Sequence, residues 1–96
     1  MIDVSAKALT TIKDILAKHV PDLEVRAFGS RVNGSAKSYS DLDLAIVGQE
    51  KIPQKIFMEL KEDFQESYLH FRVDVLDWCR ISPEFRKIIL KKYIVI

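Results

Sequence analysis

Two alternating segments, joined through a turn bracketed by glycines, constrain this chain more than any other feature. Leu23-Glu24-Val25-Arg26-Ala27-Phe28 runs into Gly29-Ser30-Arg31-Val32-Asn33-Gly34, and Asp41-Leu42-Asp43-Leu44-Ala45-Ile46-Val47 follows. Alternation with period two builds strands, because successive side chains of extended backbone leave on opposite faces. The second segment therefore sets Asp41, Asp43, Ala45 and Val47 on one face and Leu42, Leu44 and Ile46 on the other. Two carboxylates on one strand face repel each other unless a cation lies between them. Oxygen-only ligation suits Mg²⁺ or Mn²⁺ better than zinc, and Mg²⁺ is commonly held by few carboxylates together with substrate phosphates.

The glycine turn reads as a phosphate grip. Glycine adopts positive φ without strain and lets a ligand approach the backbone, and Ser30 adds a hydroxyl and an N–H. If Ser30 caps a short helix, the free amides and positive end of that helix face an anion. Arg31, ahead of Lys37, is the candidate cation. Alone, an Asp-x-Asp or a Gly-Ser is usually an ordinary strand start or turn; specificity comes from their combination, in this order, between two strands.

The rest of the chain supplies the layers. With 96 residues, 48% hydrophobic and 30% charged, it reads as one soluble globular domain spanning 1–96. A formal net charge of +1 is too small for a generic nucleic-acid surface, so no direct nucleic-acid binding is expected. A lone cysteine, Cys79, excludes an internal disulfide. With no signal-peptide pattern and no membrane-length apolar run, the expected location is the cytoplasm, away from membranes. The basic run Arg86, Lys87, Lys91 and Lys92 reads as the solvated face of a helix.

Three amphipathic helices are expected. The first runs from Ser5, its cap, to Val20, with Leu9, Ile12, Ile15 and Leu16 inward and Pro21 as the stop. The second covers Gln54 to Ser67, with Ile56, Phe57, Leu60 and Phe64 inward. The third starts at Ser82-Pro83, with Phe85, Ile88 and Ile89 inward. Phe71 to Leu76 is a strand, so the second helix can act as a right-handed crossover between parallel strands. His19 and His70 are unclustered and read as packing residues rather than zinc ligands. Tyr93–Ile96 is too apolar for a loose tail and reads as an edge strand or a partner contact. Asp74, between Val73 and Val75, is the anomaly, since an unpaired charge in a buried strand costs several kcal/mol. It either faces the Asp41/Asp43 site or pairs with Arg72; Asp77 is the fallback for the same role.

Gly29-Ser30-Arg31-x-x-Gly34 followed by Ser40-Asp41-x-Asp43-Leu44 resembles the signature of the nucleotidyltransferases related to the DNA polymerase beta palm. At this length the chain is similar, more narrowly, to the minimal nucleotidyltransferases. The resemblance implies an α/β (α+β) fold: one small domain, a mixed β-sheet covered by helices, and an active site along one sheet edge. It implies that Asp74 is the third catalytic carboxylate and that Asp41, Asp43 and Asp74 hold the metal, two ions of Mg²⁺ or Mn²⁺. Gly29, Ser30 and Arg31 would bind nucleotide phosphates. The donor would be ATP or another NTP, and the reaction transfer of AMP to a hydroxyl, in particular a tyrosine of a small helical HEPN-type partner. The chain would then be the antitoxin of a toxin–antitoxin pair. An antitoxin acting by contact alone is the alternative, a metal-dependent phosphohydrolase is a weaker one, and homo-oligomer formation is left open.

Overall fold

The hydroxyl of Ser5 accepts the amide of Ala8 at 3.1 Å and so starts the first helix of the structure, a computed structural model that describes residues 2–96. Eight elements follow one another: α1 (Ala6–His19), β1 (Glu24–Phe28), α2 (Ser30–Asn33), β2 (Leu42–Val47), α3 (Gln54–Gln65), β3 (Val73–Asp77), α4 (Pro83–Lys91) and β4 (Ile94–Val95). The strands form one mixed sheet in the order β3-β2-β1-β4. β1 is antiparallel to both its neighbours, while β2 and β3 are parallel, as a crossover through α3 requires. The apolar tail is indeed an edge strand: Ile94 and Val95 pair with Ala27 and Arg26.

Strand alternation decides which layer each face meets. Leu42, Leu44 and Ile46 are fully buried with Ile12, Leu16, Leu60 and Phe64, so α1 and α3 cover that face. Burial of this kind is worth roughly 25 cal/mol per Å² of apolar surface and makes this the main core. His19 belongs to the same layer, its Nε2 lying 2.8 Å from Asp63 Oδ2, so α1 and α3 are tied by a polar contact as well. The opposite face holds a smaller cluster of Phe28, Ala45 and Ile89, with Leu76, Trp78, Ile81 and Tyr93 packed against it, and is covered by α4.

Two expected inward positions point outward instead. Ile56 is exposed on α3, and Ile88 on α4 is 60% exposed while its neighbour Ile89 is buried. On a nine-residue helix over a narrow sheet, one residue per turn has room beneath it. Phe85 is only half covered, its ring edge-on to Phe28. No helix among the described residues is long and apolar enough to cross a membrane.

Candidate active site

Gly29 sits where β1 hands over to α2, with φ 83 and ψ −157, a conformation L side chains rarely adopt. Glycine is required there for a second reason: a Cβ would run into the carboxylate of Asp43. The turn and the acidic strand are thus in contact, because Phe28 is the register partner of Asp43 across β1 and β2. Ser30 is not the cap. Gly29 takes the N-cap position with no side-chain bond, and Ser30 is the first helical residue. The Gly29 carbonyl accepts the amides of Val32 and Asn33, both at 3.0 Å. The first amides of α2, from Ser30 and Arg31, are of the kind a helix start leaves without intrahelical partners.

Arg31 departs from its expected role. Its guanidinium is buried and committed to backbone carbonyls: Nε to Ser40 at 2.9 Å, Nη1 to Asp3 at 2.9 Å, and Nη2 to Ser38 at 3.1 Å and Lys37 at 3.4 Å. It also lies 4.1 Å from the centroid of the Phe71 ring. With four of its five N–H donors on carbonyls and the group buried, the guanidinium is held away from the role of a free phosphate cation. Arg31 instead braces the loop between α2 and β2 and thereby fixes the approach to Asp41. Sequence alone could not separate the two roles, since both put an arginine after the Gly-Ser turn.

The carboxylates gather at the end of the sheet where β1 finishes and β2 and β3 begin, on the face that α4 covers further along. Asp43 and Asp74 are register partners across the parallel pair, so the strand following the crossover does bring its carboxylate beside the first. Asp74 therefore belongs to the edge strand, but Asp43 lies on an interior one; the site is at a strand end rather than along an edge. Asp41, just before β2, is 3.5 Å from Arg72 in an exposed ion pair. As they stand, no three His, Cys, Asp or Glu side chains among the described residues are grouped to hold one ion.

The electrostatics centre on Asp43. Asp43 is pushed up to about 6, first by burial, then by Asp74 and Asp41, with Arg72 pulling the other way. A half-buried carboxylate beside two others is relieved by a cation, and the donors on offer are all oxygens. An all-oxygen set of this kind fits Mg²⁺ or Mn²⁺, which Asp43 and Asp74 would hold, with Asp41 tied only by an exposed, weak ion pair. A cavity of about 970 Å³ around His19, Arg26, Lys51 and Ile56 lies at the other end of the sheet. Asp74 lines a smaller cavity, about 440 Å³, with Lys61, Phe71 and Arg72.

Asp77 is excluded from this group. It is 2% exposed on the opposite face of β3, and its oxygens accept from the amides of Ile52 at 2.8 Å and Cys79 at 3.0 Å and from Arg80 Nε at 3.2 Å. Those bonds close the loops after β2 and β3. An Asp at the strand end, directly before a turn at 78–80, was the available signal for such a role.

A Gly-Ser turn thus packs on an Asp-x-Asp strand, with a further Asp in register. The chain belongs to the family described as Polymerase beta, Nucleotidyltransferase, whose model matches residues 10–96, and it is a nucleotidyltransferase. Over 95 residues it is 52% identical to Probable protein adenylyltransferase MntA of Haemophilus influenzae, covering 99% of this chain and 83% of that one. It is 33% identical to Protein adenylyltransferase MntA of Thermococcus cleftensis, covering 92% of this chain and 95% of the relative. The fold is that of a crystal structure of a toxin–antitoxin with AMP-PNP, at TM-score 0.75 and 23% identity, covering 90% of this chain and 69% of that chain.

Proposed function

We propose that this chain is a cytoplasmic protein adenylyltransferase that moves AMP from ATP to a hydroxyl of a protein partner, as the antitoxin of a toxin–antitoxin pair. The acceptor is a tyrosine on a small helical protein of the HEPN type. One observation carries the reading: Gly29 packs directly on Asp43, with Asp74 in register beside it, so phosphate turn and acid pair form a single unit. The relatives named protein adenylyltransferase support the donor and the class of acceptor.

Asp41, Asp43 and Asp74 would hold one or two divalent ions. When bound, such ions neutralise the triphosphate and make the acceptor hydroxyl more acidic. The remaining work falls to the chain. Gly29 leaves the backbone bare where the β- and γ-phosphates lie, and the first amides of α2, with the Ser30 hydroxyl, donate to them. Asp74 takes the proton of the acceptor hydroxyl as its oxygen bonds to the α-phosphorus. The bond between the α-phosphorus and its bridging oxygen breaks, and pyrophosphate leaves on the opposite side. Catalysis is positioning plus charge stabilisation, so small displacements of these groups are costly.

Mass spectrometry of the chain co-expressed with the product of its neighbouring gene, which the proposal expects to be a helical protein of this type, tests the proposal. The partner should gain at least one AMP on a tyrosine, and Asp43→Asn should abolish the gain. A partner that stays unmodified, yet is still restrained by the Asp43→Asn protein, would establish the contact-only alternative.

A further inference from the structure

α4 is the only helix on the site's face of the sheet among the described residues, and its position ties it to the chemistry. Ile89, 1% exposed, packs with Ala45 and Phe28, and Leu76 lies against them. Ala45 follows Asp43 by two residues and Leu76 follows Asp74 by two, so the footprint of α4 stops about one same-face repeat, roughly 7 Å, from both carboxylates. Phe85 closes the gap on the other side. Its ring meets Phe28, the residue before Gly29, edge-on at 6.1 Å between centroids.

The flank of α4 that continues from Phe85 is uncovered. Phe85 is 36% exposed and Ile88, one turn on and adjacent to it, 60% exposed. Lys87 and Lys91 stand exposed on the outer side. Charge is divided sharply along the chain: Arg80, Arg86, Lys87, Lys91 and Lys92 against Glu84 give residues 79–96 a net +4, leaving −3 for the first 78 residues. An apolar flank edged by lysines, beside an acidic site open to solvent, is a surface made for contact.

We infer that this flank of α4 is the docking face for the protein that carries the acceptor hydroxyl, and that it takes an apolar surface edged by carboxylates. The inference rests on the proposal that the acceptor is a protein. Charge complementarity selects that occupant. A protein can set its carboxylates over Lys87 and Lys91 and a neutral hydroxyl over the acidic pair. A nucleic acid carries a charge at every step, and the three aspartates lie well within a Debye length, about 10 Å, of any strand crossing the site. Phe85 and Ile88 offer a phosphate nothing, and an edge-packed ring is no platform for a base.

The test measures transfer from ATP to the neighbouring helical protein, with KM for each substrate, on the full chain and on Ile88→Glu. Ile88→Glu should raise KM for the protein acceptor tenfold or more, with KM for ATP and Tm unchanged. Lys87→Glu combined with Lys91→Glu should weaken the acceptor similarly and remove much of the salt dependence of its KM. Both lysines are exposed, so this pair covers the event that Ile88→Glu misfolds. Unchanged KM for the acceptor overturns the inference. So does a parallel loss of ATP affinity, which would assign the flank to the nucleotide, or a wild-type dimer that Ile88→Glu turns into a monomer. A wild-type chain that binds ATP yet never labels the acceptor sinks the proposed function first, and this inference with it, whatever the variants do.

Discussion

At Asp43, position and ionisation are in conflict, and that conflict can be measured. Its pKa lies at about 6 in the folded protein, against 3.8 for an ordinary aspartate. Below pH 3.8 the carboxyl is protonated in folded and unfolded chains alike and costs nothing. As pH rises through the folded value the unfolded chain has already ionised, and the native state carries the penalty in full above about 6. Asp43→Asn should therefore stabilise the ion-free protein at pH 7, on the order of 1 kcal/mol because solvent screens a half-exposed group. At pH 4 the gain should nearly vanish, and urea titrations at the two pH values check it. Transfer should be lost at both.

Gly29 concerns the same carboxylate from the other side. Gly29→Val adds a β-branched side chain at positive φ and drives its Cβ into Asp43. ATP binding, followed by calorimetry, should disappear, and the melting temperature should fall with it. An unchanged affinity would mean that the turn only turns. The sequence exposes this pair well, since alternation fixes the face of Asp43 and glycine marks the close approach. Arg31 was illegible for the opposite reason: its carbonyl partners on Asp3, Lys37, Ser38 and Ser40 are brought together by the fold, not by any local pattern.

Among elements, β3 shows how one strand divides its acids. Val73, Val75 and Asp77 face the helices, while Asp74 and Leu76 face the site side. Asp77 is buried and satisfied; Asp74 is partly exposed and beside another acid. Asp77→Ala leaves the buried amide of Ile52 and the part-buried amide of Cys79 without acceptors, which should cost roughly 2–4 kcal/mol of stability. Activity per folded molecule should survive. Asp74→Ala should do the reverse, raising the urea midpoint slightly at pH 7 by relieving Asp43 while removing transfer. The helix starts at Ser5 and Ser82 were readable because a cap is decided within three residues. The outward turn of Ile56 and Ile88 was not, because helical spacing gives a stripe but not the width of the surface that will receive it.

For the whole molecule, the parallel pairing of β2 with β3 has a consequence for folding kinetics. Asp43 and Asp74 lie 31 positions apart and meet only once α3 has brought the second strand home. β1 and β2 can pair through the shorter connection at Gly29 to Asp41 beforehand. The denatured chain and the early part of folding therefore feel no repulsion between the two acids. Relieving it should act on the unfolding arm of the chevron: the share of the Asp43 penalty that comes from Asp74, second to burial, should leave refolding overlaid on the wild type and slow unfolding in Asp43→Asn, as stopped-flow fluorescence of Trp78 in urea would record. A refolding arm that moved instead would place the acid pair in the nucleus. By the same logic, an ion seated between these carboxylates lengthens the lifetime of the folded chain without hastening its birth.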